Sequence, residues 1–184
     1  MLARAFINDP FAAMLASDLS RREAASRWTF AAFARYGLTF GEVWTAGDLD
    51  GAAIWWAPEY VDLNEERAVL VGLGDGPHVL GTEAWERFLA FAAFTGEIHH
   101  RSVAGPHWYL NVLGVAPERQ GMGLGSMLLS SMFDRLDRER LPAYLDTGTA
   151  ENVAYYERRG FVLTAEVHEP ASGILTRGMR RDPR

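Results

Sequence analysis

Three glycines at alternate positions, Gly121, Gly123 and Gly125, lie between an apolar run that ends in Val-Ala-Pro and a stretch whose apolar residues have helical spacing. A strand, a glycine-rich turn and a helix in this order bring several backbone N–H groups and the positive end of a helix dipole to one point. Side chains there would block a close approach. The pattern predicts a phosphate or pyrophosphate site; the alternative is a turn that needs glycine only for positive φ angles.

Two common phosphate-binding motifs do not fit these residues. A P-loop requires Gly-Lys-Ser/Thr, but Gly125 is followed by Ser126 and Met127, so no lysine can reach a phosphate. A dinucleotide fingerprint requires a third glycine three residues after the second, near the start of a βαβ unit. This turn lies well past the middle of the chain, which leaves too little sheet after it for a Rossmann domain.

The elements that must position the turn alternate between helices and strands. Helical spacing covers 10–36, with a division at Ser17–Ser20 and an end at Gly37, and returns over 61–100, with Thr82 as an N-cap and Gly96 as a stop. Further helices are predicted over 126–140 and 151–159, and strands over 42–46, 51–57, 108–115, 143–145, 161–167 and 173–179. Hairpins and crossovers together favour a mixed sheet flanked by helices.

Composition excludes several classes of protein. The 184 residues suit a single domain, and 24 acidic against 18 basic residues make a nucleic-acid partner improbable. The chain contains no cysteine, so disulfides, thiolate metal sites and a covalent cysteine intermediate are ruled out. No stretch reaches the roughly 18 apolar residues of a membrane span, and no signal peptide is evident. We expect a cytoplasmic protein without a membrane partner.

The pattern Gln120-x-x-Gly123-x-Gly125, preceded by Leu113-Gly114-Val115, resembles the acetyl-coenzyme A motif of the GCN5-related N-acetyltransferases (GNATs), written Gln/Arg-x-x-Gly-x-Gly/Ala. The run "ENVAYYERRGF" is similar to the family's later motif, in which an asparagine opens a helix and a tyrosine stands five residues before the phenylalanine of Gly-Phe. These residues are Asn152 and Tyr156 here.

The resemblance is continuous over 108–179 and is greatest to the puromycin N-acetyltransferase-like branch. It implies a mixed, mostly antiparallel sheet flanked by helices. It also implies an acetyl-CoA-binding core over 108–180, with 1–107 on the acceptor side of one domain, 1–184. Family members usually begin with a strand, whereas this chain reaches helix-like residues almost at Met1. Either the start is truncated or the first edge strand is absent, and the exposed edge would permit a homodimer.

The resemblance assigns the cofactor contacts. The N–H groups from Gly121 to Ser126 would hold the pyrophosphate of acetyl-CoA, a cosubstrate, and Asn152 would bond the pantetheine arm. Gly114 inside an apolar strand suggests a bulge or splayed edge, which would free backbone groups of its neighbours for that arm. Gln120 is either part of this site or a solvated turn residue. The predicted cofactor-binding residues are Leu113, Gly114, Val115, Gln120, Gly121, Met122, Gly123, Leu124, Gly125, Ser126 and Asn152.

Tyr156 is the predicted catalytic residue, with the family role of general acid. A phenol with an ordinary pKa near 10 is protonated at neutral pH and can give its proton to a departing thiolate. The alternative is that Tyr155 and Tyr156 are only one buried and one exposed aromatic residue on an amphipathic helix.

The general base stays open. An ammonium substrate must lose a proton before it attacks, and the candidates are Glu59, Glu97, His99, His100, His107 or water. We expect the three histidines in a loop without helical spacing, so no metal site is predicted.

The predicted function is acetyl transfer from acetyl-CoA to a primary amine of a small molecule, made directly in a ternary complex. The identity of the amine is left open by the aromatic residues of 61–107, which pack a core equally well. The alternative function is a non-catalytic acyl-CoA sensor or interaction module on the same fold, which would have no need for the acid Tyr156.

Overall fold

A six-stranded sheet forms the centre of the computed structural model, which describes residues 1–184. The strands are β1 (Gly41–Ala46), β2 (Gly51–Trp56), β3 (Trp108–Val115), β4 (Ala143–Thr147), β5 (Val162–His168) and β6 (Leu175–Arg181). Their order across the sheet is β1-β2-β3-β4-β6-β5. Every neighbouring pair is antiparallel except β3 and β4, so the prediction of a mixed, mostly antiparallel sheet is confirmed.

The parallel pair separates after two residues. β3 and β4 are paired only at Trp108 with Ala143 and at Tyr109 with Tyr144. Beyond this point β3 continues to Val115 along β2, while β4 continues to Thr147 along β6. Because the two strands diverge, their facing edges are unpaired and a wedge opens between their carboxyl ends.

Helices cover both faces of the sheet. They are α1 (Leu2–Ala5), α2 (Pro10–Leu15), α3 (Leu19–Phe40), α4 (Glu65–Leu70), α5 (Gly76–Leu80), α6 (Thr82–Ser102), α7 (Leu124–Glu139) and α8 (Ala150–Glu157), with short 3₁₀ turns at Leu73–Asp75 and Pro117–Arg119. Leu129 and Met132 of α7 belong to one core cluster with Trp55 of β2. Phe30 of α3 and Phe88 of α6 belong to a second cluster on the other face. No helix is long and apolar enough to cross a membrane.

The two long helices extend past their predicted ends. Helix α3 runs through Gly37 to Phe40, where a Cβ on Gly37 would lie 2.6 Å from Cγ2 of Ile54. Glycine there lets β2 approach the helix and does not end it. Helix α6 runs through Gly96 to Ser102, because Ile98 and His99 in its last turns are buried. The N-cap of α6 is Gly81 and not the predicted Thr82.

The predicted division of the first helical region is confirmed. Helix α2 ends at Leu15, and α3 begins at Leu19 after Asp18, whose carboxylate accepts the N–H of Arg21 at 3.0 Å. The expected hairpin of β1 and β2 is also present, with Ala46 opposite Gly51.

The N-terminal residues are helical, and no strand lies outside β1. Helix α1 instead packs against β3, where a Cβ on Gly114 would lie 2.5 Å from Cδ2 of Leu2. Of the two alternatives predicted at Gly114, the bulge is wrong, since this residue pairs directly with Ala52, whereas the splayed edge is present because β3 leaves β4 after Tyr109. The bulge lies at Asn111, between the pairs Ile54–Val112 and Trp55–Leu110.

Candidate active site at the opening between β3 and β4

The glycine turn leads into α7 at the edge of the opening. Gly121 and Gly123 have φ angles of +76° and +83°, and a Cβ on either would meet no atom within 4 Å. Gly123 is the N-cap of α7, and no side chain caps that end. The first intrahelical bond of the helix is from Met127 N–H to the carbonyl of Gly123. The preceding N–H groups are free to bind an anion, as at other helix N-termini.

The third glycine of the turn, Gly125, is required by packing and not by a positive φ angle. A Cβ on Gly125 would lie 2.6 Å from the hydroxyl oxygen of Tyr155, so glycine here permits close packing of α7 on α8. Gln120 donates from Nε2 to the carbonyl of Val115 at 3.2 Å and so closes the turn at the end of β3. Met122 is 62% exposed. The turn therefore offers backbone, not side chains, to a ligand.

Asn152 and the last residues of β3 lie on the two sides of the opening. Leu113, Gly114 and Val115 follow the point at which β3 leaves β4. Asn152, in the first turn of α8, donates from Nδ2 to the hydroxyl of Thr147 at the end of β4, at 2.9 Å. An extended chain that entered the wedge would meet backbone on one side and a side-chain amide on the other.

Tyr156 lies on α8 and is 8% exposed. Its ring packs edge-on against Phe161, with centroids 5.6 Å apart. Burial, together with the charges of Tyr155 and Asp146, raises the pKa of the Tyr156 hydroxyl well above its usual value. The hydroxyl is therefore a proton donor, and not a base, throughout the neutral range.

Asp146 is the carboxylate that sequence reasoning missed. It lies on β4, two residues after the last pair with β3, and its Oδ2 accepts a hydrogen bond from the hydroxyl of Tyr109 at 2.5 Å. Burial raises its pKa, and the hydrogen bond from Tyr109 opposes the rise. An aspartate at the end of the apolar run Ala143–Leu145 is the signal that could have identified it.

The family model described as "Acetyltransferase (GNAT) family" matches residues 39–161, which is more than half of the chain. The chain belongs to the GNAT family of acetyltransferases. It is an acetyltransferase, as the first sequence resemblance predicted. The puromycin-like branch within that family stays a prediction.

Relatives agree with this assignment. The chain is 27% identical over 191 residues to an uncharacterized N-acetyltransferase of Schizosaccharomyces pombe. The alignment covers 99% of this chain and 74% of that protein. Among solved structures, a Corynebacterium glutamicum protein described as histone acetyltransferase HPA2 and related acetyltransferase has a TM-score of 0.65 at 20% identity, over 100% of this chain and 87% of the other. Mosquito arylalkylamine N-acetyltransferase like 5b has a TM-score of 0.53 at 16% identity, over 80% and 79% of the two chains. At these identities the two structures show the fold alone.

Two candidate bases of this GNAT chain form a closed pair. His99 and His100 lie in the last turn of α6, and not in the predicted loop. His99 Nε2 is 2.5 Å from Nε2 of His107, and His107 Nδ1 lies 2.7 Å from the carbonyl of Gly105, to which it must donate. His99 is then the Nε2 donor to His107, and both rings are neutral. Burial, with the neighbouring histidines, lowers the pKa of His99 to about 3, which makes it a poor base.

The other candidate bases lie on the surface. Glu97 pairs with Arg101 at 3.1 Å, His100 pairs with Asp62 at 3.3 Å, and Glu59 is exposed. The structure contains no group of three or more histidine, aspartate or glutamate side chains placed to hold a metal ion. None of the predicted bases lies on a strand beside the opening. Asp146, by contrast, is partly buried and lies on β4 beside it.

A basic cavity adjoins the first turn of α7. It has a volume of about 400 Å³. The Arg159 guanidinium donates to the Ser126 hydroxyl at 2.5 Å and lies 3.4 Å above the ring of Tyr155. The residues that line this cavity are Ser126, Ser130, Phe133, Arg158, Arg159, Arg181 and Arg184. Arg158 and Arg159 are adjacent in the sequence just after α8, and only packing brings them beside the glycine turn.

Proposed function

We propose that this GNAT chain transfers the acetyl group of acetyl-CoA to the primary amine of a small molecule. The observation that carries the proposal is the coincidence of two features. A parallel strand pair opens after Tyr109 and Tyr144, and an uncapped helix N-terminus with two open glycines lies where β3 ends. The extended thioester arm of acetyl-CoA fits the opened strand pair, and its negatively charged pyrophosphate fits the helix N-terminus.

The residues at the opening fit this cosubstrate. The free N–H groups of Leu124, Gly125 and Ser126 would hold the pyrophosphate, and Arg159 would add a charge-assisted donor. The unpaired edge of β3 and the amide of Asn152 would bond the amides of the pantetheine arm. A backbone edge with unsatisfied groups favours such an extended polar chain.

Acetyl-CoA supplies an activated acetyl group as a thioester. The acid Tyr156 would hold a proton ready for the sulfur that leaves, and its buried ring keeps the hydroxyl oriented. Since the chain contains no cysteine, no cysteine thioester can form. This supports direct transfer in a ternary complex.

A groove of small-molecule size supports a small acceptor. It has a volume of about 310 Å³ and is lined by α2, α6 and the β5–β6 loop, within the usual range for ligand pockets. Three carboxylates, Glu83, Glu86 and Glu169, line it against the single cation Arg87. An excess of negative charge favours a positively charged amine.

Several further expectations belong to this proposal. We expect the chain to act as one domain, with 108–180 as the cofactor core. We also expect a cytoplasmic location, and a homodimer in which a second copy covers the free outer edge of β1.

Isothermal titration calorimetry with acetyl-CoA tests the proposal first, with NADH and ATP as controls. Selective binding of acetyl-CoA is expected. The purified protein is then incubated with acetyl-CoA and tyramine, benzylamine or spermidine, and acetylated amines are detected by mass spectrometry. The chain has no lysine, so acetylation of its own side-chain amines cannot mimic transfer. Correctly folded protein that binds no acetyl-CoA would contradict the proposal.

A further inference from the structure

The surroundings of Asp146 suit a positively charged group. Asp146 of β4 pairs with Gly178 of β6. The opposite edge of β4 at this residue is unpaired and borders the opening. Asp9, the N-cap of α2, is a second partly buried carboxylate whose charge acts on Asp146. One oxygen of Asp9 accepts the N–H of Phe11 at 2.8 Å. The negative charge of Asp9 therefore adds to that of Asp146.

Buried polar side chains lie on the elements around Asp146. Tyr156 is 8% exposed, and the charge of Asp146 helps to raise the pKa of its hydroxyl. The Tyr144 hydroxyl is buried beside that of Ser102 without a hydrogen bond of good geometry, and the charge of Asp146 helps to raise its pKa. Oδ1 of Asn111, at the bulge of β3, is also buried and unpartnered. Unpaired buried polar groups are costly, and an ammonium group with three N–H donors would satisfy several of them.

We infer that Asp146 is the general base that takes a proton from the ammonium group of the acceptor. The inference rests on the proposed acetyl transfer and adds the base and the charge of the acceptor.

The proposed transfer conserves protons and electrons. The Asp146 carboxylate takes one proton from R–NH₃⁺, and the nitrogen lone pair of R–NH₂ then forms a bond to the thioester carbonyl carbon. The C–S bond breaks, its electron pair stays on sulfur, and sulfur takes the Tyr156 proton. The second nitrogen proton returns to the Tyr156 oxygen, and Asp146 releases its proton to water. The sum is R–NH₃⁺ plus acetyl-CoA giving R–NH–acetyl, CoA–SH and one proton.

Tyr109 is a positioning residue for Asp146. Its hydroxyl donates to Oδ2 at 2.5 Å, and this bond to the charged form keeps the carboxylate ionised against the desolvation that raises its pKa. The other oxygen is left for the acceptor. Tyr109 contacts Asp146 directly, and the charges of Tyr144, Tyr156 and Asp9 interact with it. Of these groups only Asp9 changes charge below pH 7. His99, whose ring packs against those of Tyr109 and Tyr144, stays neutral down to a pKa of about 3.

The decisive experiment compares Asp146→Asn with the wild type. Steady-state kcat/KM is measured by thiol release, with the probe amine among tyramine, benzylamine and spermidine that the wild type acetylates fastest. An alkylammonium with a pKa near 10 is free amine in only about one molecule in 10³ at pH 7. We therefore expect Asp146→Asn to lower kcat/KM by roughly 10²- to 10³-fold at pH 7. The loss should shrink as the pH approaches about 10, because the free amine no longer needs a base.

The matched control is Asp134→Asn, at an exposed position of α7 with no ion pair. It should leave kcat/KM unchanged. Acetyl-CoA affinity, measured by calorimetry, should be the same in the wild type and both variants. A loss in Asp146→Asn that is equal at every pH, or no loss at all, would overturn the inference.

Tyr109→Phe and Asp9→Asn provide independent tests. Tyr109→Phe removes the bond that lowers the pKa of Asp146, so the acid limb of its kcat/KM profile should move to higher pH. Asp9→Asn should move the acid limb to lower pH, because it removes a negative charge that raises the pKa of Asp146. An acid limb that stays fixed in both variants would contradict the role of Asp146.

The two proposals fail in different ways. Wild-type protein that binds no acetyl-CoA overturns the acetyltransferase proposal itself. Wild-type transfer that Asp146→Asn retains in full at pH 7 overturns only the assignment of the base.

Discussion

The buried histidine His99 should make this protein markedly less stable at mildly acidic pH. His99 is 4% exposed on α6, stacks on Tyr144 with ring centroids 4.4 Å apart, and donates to His107. Burial lowers its pKa from 6.5 to about 3. The unfolded chain therefore binds a proton below pH 6.5 that the folded chain does not bind.

The size of the effect follows from this pKa difference. A group whose pKa is lowered on folding contributes no penalty above its unfolded pKa, and stability falls as the pH drops from 6.5 toward 3. Between pH 7.5 and pH 5 the loss is about 1.5 pH units at 1.36 kcal/mol each, or about 2 kcal/mol. The result depends little on the exact folded pKa, since that value lies well below 5. His107, whose pKa is also lowered by burial, acts in the same direction.

Urea denaturation followed by tryptophan fluorescence measures this loss, since the chain has six tryptophans. With a urea slope of about 1–3 kcal/mol/M, a loss of 2 kcal/mol lowers the midpoint by roughly 1 M between pH 7.5 and pH 5. The raised pKa values of Asp9 and Asp146 act in the opposite direction. For this reason the wild type is compared with His99→Gln, in which the carboxylates are unchanged.

His99→Gln keeps a donor for His107 but does not titrate, so its midpoint should fall by about 1 M less than that of the wild type over the same interval. The control is His78→Gln, at an exposed position of α5, which should follow the wild type. If His99→Gln and the wild type lost stability equally, the buried neutral histidine could not be the cause.

Three other predictions concern the cofactor and the acid. Tyr156→Phe should lower kcat by roughly 10²- to 10⁴-fold with an unchanged acetyl-CoA affinity in calorimetry, because it removes the proton donor and keeps the buried ring. An unchanged kcat would remove Tyr156 from the mechanism. Gly123→Ala forces alanine to φ +83° at a cost of about 1–2 kcal/mol and should weaken acetyl-CoA binding. The control Met127→Ala, at an exposed position of α7, should leave the affinity unchanged. Equal affinities in the two variants would show that the turn makes no contact with the cofactor. Arg159→Gln should weaken acetyl-CoA binding at 0.05 M NaCl and have less effect at 0.5 M, since salt screens the lost charge; a loss that is the same at both concentrations would argue against a phosphate contact.

Local patterns predicted the elements of the fold well where the signal was local. The strand Trp108–Val115, the open glycines Gly121 and Gly123, and the β1–β2 hairpin are all present. Their signals are β-prone runs and glycines at positions of positive φ, which act over a few residues.

The errors occurred where a distant element changed the meaning of a residue. The sequence predicts helix ends at Gly37 and Gly96, because glycine is common just after the last turn of a helix. In the structure Gly37 makes room for Ile54, and burial of Ile98 and His99 extends α6 past Gly96. Tertiary packing contributes more free energy than the roughly 1 kcal/mol of helix propensity that each glycine loses.

Motif spacing and periodicity are enough to predict the family, the mixed sheet and the glycine turn at the start of α7, because they are properties of neighbouring residues. Which carboxylate or histidine lies beside the opening depends on how distant elements pack. Three features depend on contacts between separate elements of the fold. They are the point at which β3 leaves β4, the pair of His99 and His107, and the bond from Tyr109 to Asp146. Desolvation and hydrogen bonding act through space, so the proton chemistry of the site is set by packing that no local pattern records.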